Sequence, residues 1–217
     1  MSEENTSRVA VLISGRGSNM QALVERSLEQ PQPYRVAVVL SDKPAAPGLA
    51  VARDLGVAAR SIPAKPDRIE FDRSLAGAID ECAPHLIVLA GFMRILSAEF
   101  VDRYAGRLLN IHPSLLPKYP GLHTHRSVLA ARDPVHGATV HFVTAELDGG
   151  PPIIQSRVEV RPDDSEATLA ARVQIQEHKI YPLAVRWYCE GRLRCREGRA
   201  WLDGTALAGP VLYDEGN

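Results

Sequence analysis

Two polar residues of complementary chemistry stand two positions apart in the segment Asn110-Ile111-His112-Pro113. Alternate side chains of a strand point to the same side, so Asn110 and His112 would share one face while Ile111 enters the core. Pro113 holds the preceding residue in an extended conformation and ends the strand. An amide N–H can stabilise an oxyanion, and an imidazole can donate or accept a proton near neutral pH. The pair indicates this chemistry, although a polar strand end without a function is the simpler alternative.

A carboxylate that could complete the pair follows at Asp148, directly before Gly149 and Gly150. A tight loop at this point would deliver the carboxylate beside His112, orient the imidazole and stabilise its charged form. The alternative is an acid that only bonds its own backbone within a turn. The functional interpretation predicts that Asp148 and His112 act as a pair.

A glycine-rich turn at residues 14–19 separates a predicted strand from a predicted helix. Glycine lets backbone N–H groups approach a ligand, and the helix N-terminus favours an anion. Met20 occupies the place of the third glycine of a dinucleotide fingerprint, and the Gly-Lys-Ser/Thr ending of a P-loop does not occur. A phosphate site with Ser18 and Asn19 as side-chain donors remains, beside the alternative of a plain tight turn.

Five histidines fall within residues 112–141, so a metal site has to be considered. His123 and His125 flank Thr124, but no further ligand stands at a spacing typical of metalloenzymes. The sequence also contains no Gly-x-Ser-x-Gly segment of a serine hydrolase. We therefore expect neither a catalytic metal nor a serine nucleophile.

The elements that must position these residues follow from hydrophobic periodicity. Predicted strands alternate with predicted helices, the strands at residues 9–14, 35–40, 57–62, 86–90 and 108–111, and the helices at residues 19–28, 48–55, 69–82 and 97–104. This alternation predicts an α/β fold with a single Rossmann-like domain and a mainly parallel sheet. Asn110 and His112 would then lie at the carboxyl end of a parallel strand, where such sheets bind their ligands.

The pattern changes after Gly137. Strands predicted at residues 138–143 and 153–160 are joined too closely for a parallel crossover, so we expect an antiparallel extension at the sheet edge. A long helix is predicted over residues 165–189, and Pro182 should kink it or split it. The last predicted element is a hairpin formed by residues 192–196 and 199–202.

The composition is that of an ordinary globular protein, since 45% of the 217 residues are hydrophobic, 24% are charged and the net charge is −1. No apolar run reaches the ~18–20 residues of a membrane span, and the polar N-terminus is unlike a signal peptide. Near-neutral charge without clustered basic and aromatic residues argues against a nucleic-acid or membrane partner. Three irregularly spaced cysteines suit reduced thiols in the cytoplasm. We assign residues 1–7 to a polar tail, 8–203 to one domain and 204–217 to a C-terminal tail.

Three longer segments, residues 89–96, 110–122 and 141–150, resemble the folate-dependent formyltransferases. Residues 112–126 and 172–182 are similar in particular to the branch of that family that acts on glycinamide ribonucleotide in purine synthesis. The resemblance implies transfer of a formyl group from 10-formyltetrahydrofolate, as co-substrate, to the amine of that ribonucleotide through a tetrahedral intermediate. It also implies two small-molecule partners. We expect, besides, no metal, a cytoplasmic location and a monomer or weak homodimer.

The resemblance implies a role for each matched position. Asn110, His112 and Asp148 fall on the family's catalytic trio. The ribonucleotide is implied at Gly17, Ser18, Asn19, Gln174 and Glu177. The folate is implied at Arg68, Met93, Arg94, Ile95, Leu96, Asn110, Thr144, Ala145, Glu146, Leu147 and Asp148. Phe71 departs from the family pattern, which favours tyrosine there, so a hydroxyl contact is lost while aromatic packing is kept.

Three alternatives share parts of this pattern. A 10-formyltetrahydrofolate hydrolase has the same core with water as the acceptor, but it usually carries an extra N-terminal domain and a different loop after His112. A formyltransferase for initiator tRNA would need an additional nucleic-acid-binding domain, for which 217 residues leave no room. A non-catalytic nucleotide-binding module would explain the glycine-rich turn but leave Asn110, His112 and Asp148 without a role.

Overall fold

Two sheets are formed by the residues that a computed structural model of the protein describes, namely 6–29, 32–63 and 65–214. The strands are β1 (Ser7–Ile13), β2 (Tyr34–Ser41), β3 (Ala59–Ser61), β4 (Leu86–Leu89), β5 (Leu108–His112), β6 (Val135–Phe142), β7 (Pro152–Glu159), β8 (Leu193–Arg196), β9 (Arg199–Leu202), β10 (Thr205–Ala206) and β11 (Val211–Tyr213). The main sheet has the order β11-β7-β6-β5-β4-β1-β2-β3, and the small sheet has the order β10-β9-β8.

Helices cover both faces of the main sheet. They are α1 (Ser18–Leu28), α2 (Pro47–Asp54), α3 (Arg68–Asp80), α4 (Ala98–Arg103), α5 (Thr124–Ala131) and α6 (Glu166–Cys189). Strand β1 shows why two layers form: its alternate residues Val9, Val11 and Ile13 pack with α1, α2 and α6, while Ala10 and Leu12 pack with α3 and α4. The predicted α/β fold with a mainly parallel sheet is confirmed.

The direction of the strands places the functional edge. Strand β1 is parallel to β2 and β4, and β4 is parallel to β5, whereas β5–β6 and β6–β7 are antiparallel, as the predicted extension requires. The strand order reverses between β1 and β4, and ligands of α/β sheets bind in the crevice outside such a switch point. The turns after β1, β4 and β5 therefore meet at one edge of the sheet.

Helix α5 has no counterpart in the sequence-based assignment. It spans only eight residues and buries only Thr124 and Val128. Two buried positions are too few to show the 3.6-residue period by which a helix is recognised in a sequence. A hydrogen bond from Thr124 Oγ1 to the Pro113 carbonyl, 2.7 Å long, fixes the start of the helix. Tertiary contact rather than local pattern determines this element.

Of the two expected effects of Pro182, a kink or a split, the split is wrong, because α6 continues through the proline as one helix of 24 residues. Ile180, Tyr181 and Val185 are fully buried around the proline. Burial of such side chains contributes about 1.5–3 kcal/mol each, which together exceeds the ~3 kcal/mol that proline costs in a helix. The hydroxyl of Tyr181 also reaches β4 and β5, 2.8 Å from the Leu89 carbonyl and 3.0 Å from the Leu109 carbonyl.

The predicted C-terminal hairpin is present as β8 and β9, which pair antiparallel. The segment after residue 203, expected to be a tail, adds β10 to the small sheet and places β11 parallel to β7 at the edge of the main sheet. The expected domain boundaries remain a prediction. No helix in the described ranges combines the length and the apolar character that crossing a bilayer requires.

Candidate active site

A cavity of about 750 Å³ opens at the carboxyl ends of β4 and β5, within the ~300–1,000 Å³ typical of small-molecule sites. It brings together most of the residues predicted from sequence, namely Asn110, His112, Asp148, Met93, Arg94, Ile95, Leu96, Thr144, Ala145, Glu146 and Leu147. Arg68 is different, because it is exposed at the start of α3 and does not line this cavity.

His112 is buried at the end of β5, with both ring nitrogens facing oxygen acceptors. Its Nε2 lies 2.9 Å from the Tyr119 carbonyl, which can only accept, so Nε2 carries a proton. Its Nδ1 lies 3.4 Å from Oδ2 of Asp148. An imidazolium satisfies both neighbours, whereas a neutral ring protonated at Nε2 would turn a lone pair toward the carboxylate.

The loop that carries Asp148 is shaped by its own backbone. Asp148 has a φ of +52°, a left-handed conformation that aspartate tolerates better than most residues. A Cβ at Gly150 would lie 1.8 Å from the Phe142 carbonyl oxygen, so only glycine fits there. The backbone N–H of Gly121 donates to Oδ2 of Asp148 at 2.8 Å and fixes the carboxylate beside His112.

Asn110 is oriented by His141, which lies opposite it on β6. Nδ1 of His141 lies 2.9 Å from the Phe142 carbonyl and must donate to it, and burial lowers the pKa of His141. The ring is therefore neutral, and its Nε2 accepts a hydrogen bond from Nδ2 of Asn110 at 3.1 Å. The second N–H of that amide has no partner among the described residues and remains for a ligand. Sequence reasoning missed this role of His141, because strand register is not visible in one sequence.

Two further histidines, His125 and His136, form a pair at the edge of the cavity. Nδ1 of His125 on α5 and Nε2 of His136 on β6 are 3.0 Å apart. Burial lowers the pKa of both rings, for His136 to about 4. His125 lines the cavity, so a neutral pair joins α5 to the sheet at the edge of the site.

The residues implied for the ribonucleotide form a separate group at the start of α1. Ser18 accepts a hydrogen bond from Gln174 at 2.8 Å, and Asn19 donates one to Glu177 at 2.7 Å. Burial raises the pKa of Glu177, and Oδ1 of Asn19 has no partner within the described ranges. Gly17 precedes them with a φ of +75°. The group draws on both ends of the chain but does not line the main cavity.

The described residues contain no group of three or more His, Cys, Asp or Glu side chains arranged to hold a metal ion. Cys82, Cys189 and Cys195 are unpaired. Among the groups that line the cavity, the Asn110 amide can donate a hydrogen bond, and the His112 imidazole and the Asp148 carboxylate can exchange protons.

The chain is similar to known proteins both in sequence and in structure. The formyl transferase family profile matches residues 7–185. The sequence is 54% identical over 201 residues to the phosphoribosylglycinamide formyltransferase of Escherichia coli (strain K12), covering 92% of this chain and 95% of that protein. It is 42% identical over 197 residues to the trifunctional purine biosynthetic protein adenosine-3 of Homo sapiens, covering 90% of this chain and 20% of that protein. A solved phosphoribosylglycinamide formyltransferase from Coxiella burnetii superposes with a TM-score of 0.91 at 42% identity, covering 96% of this chain and 100% of that chain.

Proposed function

The chain belongs to the formyl transferase family, and from that premise we propose that it formylates the amine of phosphoribosylglycinamide (glycinamide ribonucleotide) in purine biosynthesis, with 10-formyltetrahydrofolate as the donor. The observation that carries the proposal is that Asn110, His112 and Asp148 meet in one cavity of suitable size for a folate. Identity to a relative named for this reaction, over nearly its full length, supports the same conclusion.

The proposed reaction forms one C–N bond and breaks another. The amine attacks the formyl carbon on N10 of the folate, and the carbonyl oxygen becomes the oxyanion of a tetrahedral intermediate. A proton leaves the attacking amine and a proton reaches N10 as the C–N10 bond breaks. The products are the formylated ribonucleotide and tetrahydrofolate, so the balance needs no covalent enzyme intermediate.

Two donors are proposed for the oxyanion, namely the free N–H of the Asn110 amide and the Nε2–H of His112. Preorganised donors of this kind contribute roughly 2.7–4 kcal/mol each. Because the Nε2–H of His112 is bound to the Tyr119 carbonyl, the substrate oxygen has to take that carbonyl's place. His112 would then be directed at the formyl group only when folate is bound.

Asp148 is the proposed proton relay. Its carboxylate would accept a proton from the attacking amine through a water molecule and pass it to N10. Its position 3.4 Å from Nδ1 of His112 would also keep the imidazole charged while the oxyanion develops.

The two substrates would occupy different subsites. We place the ribonucleotide phosphate at the turn formed by Gly17, Ser18 and Asn19, where backbone N–H groups and the start of α1 favour an anion. Gln174 and Glu177 would hold the rest of the ribonucleotide. The folate would lie along residues 93–96 and 144–148, and the exposed Arg68 would meet a carboxylate of its glutamate portion outside the cavity.

The test is to incubate the protein with 10-formyltetrahydrofolate, with and without the ribonucleotide, and to follow loss of the formyl group. Loss that requires the ribonucleotide is the expected result. Equal loss without it would identify a hydrolase, and binding of both ligands without turnover would identify a binding module.

We also propose that activity needs no metal and that the chain acts in the cytoplasm as a monomer or weak homodimer. Exhaustive chelation should leave the rate unchanged, and loss of activity that one specific ion restores would contradict the first point. Analytical ultracentrifugation across a range of concentrations would test the assembly state.

A further inference from the structure

Residues 91–97, called the wall segment below, connect β4 to α4 without regular secondary structure. All but Ser97 line the cavity. The side chains of Met93 and Ile95 are 61% and 62% exposed, so their packing does not hold the segment in place. The backbone groups of Arg94, Ile95 and Leu96 make no hydrogen bond within the described ranges. A segment that offers free backbone groups to a ligand needs anchors elsewhere to keep one geometry.

The first anchor lies at Met93. Its backbone N–H donates to Oγ of Ser14 at 2.9 Å, and Ser14 in turn donates to Oδ1 of Asp42 at 2.6 Å. Ser14 and Asp42 are buried, at the ends of β1 and β2. The serine needs both bonds to keep its lone pair toward Met93, so the carboxylate orients the hydroxyl that holds the wall segment.

The second anchor lies at Ser97 and comes from α3. The backbone N–H of Ser97 donates to Oδ2 of Asp72 at 2.8 Å. The neighbouring Phe71 is fully buried, and the guanidinium carbon of Arg94 lies 4.2 Å above its ring centre. Two adjacent residues of α3 therefore hold the far half of the wall segment, one by a charged hydrogen bond and one by a cation–π contact.

Asp72 is a buried carboxylate of which only one oxygen is hydrogen-bonded among the described residues. It is only 4% exposed, and its Oδ1 has no partner in the described part of the chain. An unpaired buried oxygen is unfavourable, and the bond from Ser97 N–H to the other carboxylate oxygen offsets part of that cost. The contribution of the carboxylate is to fix the position of the Ser97 N–H.

We propose that Asp72, and Asp42 acting through Ser14, are positioning residues that hold the wall segment in the geometry in which its backbone binds the folate. The inference rests on the proposed function. Neither carboxylate lines the cavity; Asp72 acts directly on the N–H of Ser97, and Asp42 acts through Ser14 on the N–H of Met93. Removal of Asp72 should therefore weaken the folate selectively and leave the ribonucleotide subsite intact.

The experiment compares Asp72→Ala, Asp72→Asn and Ser14→Ala with the parent enzyme. Calorimetry measures the Kd of 10-formyl-5,8-dideazafolate, a stable folate analogue, and of glycinamide ribonucleotide. We expect Asp72→Ala and Ser14→Ala to raise the folate Kd about tenfold, the loss typical of one hydrogen bond. The ribonucleotide Kd of Asp72→Ala should stay within about twofold of the parent; that of Ser14→Ala is not a criterion, because Ser14 begins the glycine-rich turn. Asp72→Asn keeps an oxygen acceptor for Ser97 and should restore most of the affinity. Asp80→Ala is the matched control, because this carboxylate of the same helix bonds the Tyr104 hydroxyl and not the wall segment.

Equal losses for both ligands in Asp72→Ala, or no rescue by Asp72→Asn in a folded protein, would overturn the proposal. If Asp72→Ala does not fold, Ser14→Ala decides, with amide exchange at Met93 as a second readout that should accelerate. Unchanged exchange and unchanged folate affinity in Ser14→Ala would also overturn it. Formyl transfer by the parent is measured first, so failure of the proposed function is recognised separately.

Discussion

Two residue pairs stand at the same cavity; each contains a histidine, and they differ in the side chain that this histidine faces. His112 faces the carboxylate of Asp148, whereas His125 faces another imidazole, that of His136. A carboxylate favours a protonated ring beside it. A hydrogen bond between two imidazoles instead needs one N–H and one lone pair, and burial lowers the pKa of both rings. The first pair is suited to carry charge and the second to remain neutral.

Residue type alone therefore does not set the character of a histidine in this cavity; its burial and the side chain that it faces do. His112 adds to the lowering of the pKa of His125, His136 and His141, although burial is the larger cause in each case. A positive charge on His112 is therefore surrounded by rings that resist protonation. Burial of the other three rings therefore works against a cluster of competing positive charges at this edge of the cavity.

The largest expected effect comes from removing the charge of the first pair. Asp148→Asn preserves shape but deprives His112 of its carboxylate, and turnover should fall by roughly three to four orders of magnitude, as when other histidine–carboxylate pairs are broken. Ligand affinity should change little, because the pair acts mainly on the transition state. Steady-state and single-turnover rates measure this.

The double variant with His112→Asn sharpens that result. Because both residues act on the same proton, the combined loss should be much smaller than the product of the single losses. Multiplicative losses, or a nearly normal rate for Asp148→Asn alone, would show that the two residues work independently.

Smaller losses are expected from changes at Asn110 and at His141, the buried ring that orients the Asn110 amide. Asn110→Ala should lower kcat by about 10²–10³-fold, the usual effect of losing one oxyanion donor. His141→Ala leaves the amide in place but unoriented, and should cost about tenfold, the value of one hydrogen bond. A His141→Ala loss as large as that of Asn110→Ala would mean that His141 itself acts on the substrate.

Gly17→Val tests binding outside both pairs. A Cβ there would lie 3.0 Å from the Met20 side chain and 3.3 Å from the Gly48 backbone, and the φ of +75° disfavours valine. The ribonucleotide Kd should rise at least about tenfold while the folate Kd changes little. Equal losses for both ligands in calorimetry would indicate general misfolding.

The smallest effect is a pH dependence that separates the two pairs. The pKa of His136 is about 4 in the folded protein and about 6.5 in an unfolded chain. Between these pH values the unfolded state binds more protons than the folded state. The free energy of unfolding is therefore greatest above about pH 6.5 and declines as the pH falls toward 4. Urea unfolding at several pH values measures this decline.

The variant His136→Gln should flatten that decline, because an amide can replace Nε2 in the hydrogen bond without titrating. A decline unchanged in His136→Gln would assign the effect to other groups. His85→Gln is the matched control, because His85 is exposed and does not line the cavity.

Local pattern was sufficient where the site depends on strand geometry. A period of two placed Asn110 and His112 on one face, and the Gly149-Gly150 turn indicated a delivered carboxylate; the structure brings all three into one cavity. Their catalytic roles remain a prediction. What the sequence did not reveal depends on contacts between distant segments, such as the register that sets His141 opposite Asn110.

The same distinction explains the errors in secondary structure. Helix α5 is too short for its period to show, and it is fixed by a bond to a carbonyl eleven positions earlier. Pro182 suggested a break in α6, but the core on either side of it outweighs the local penalty. Propensity is a weak guide wherever tertiary burial is large.

Helix α6 has a further consequence for the order in which the chain becomes functional during translation. Tyr181 donates to carbonyls of β4 and β5, and Gln174 donates to Ser18 across 156 positions of sequence. At roughly 5–20 residues per second, a ribosome needs on the order of ten seconds to make the chain between those two partners. Once residue 148 has been made, the nascent protein contains Asn110, His112 and Asp148, but Gln174 and Tyr181 are still missing, so the strands and the glycine-rich turn lack these hydrogen-bond partners.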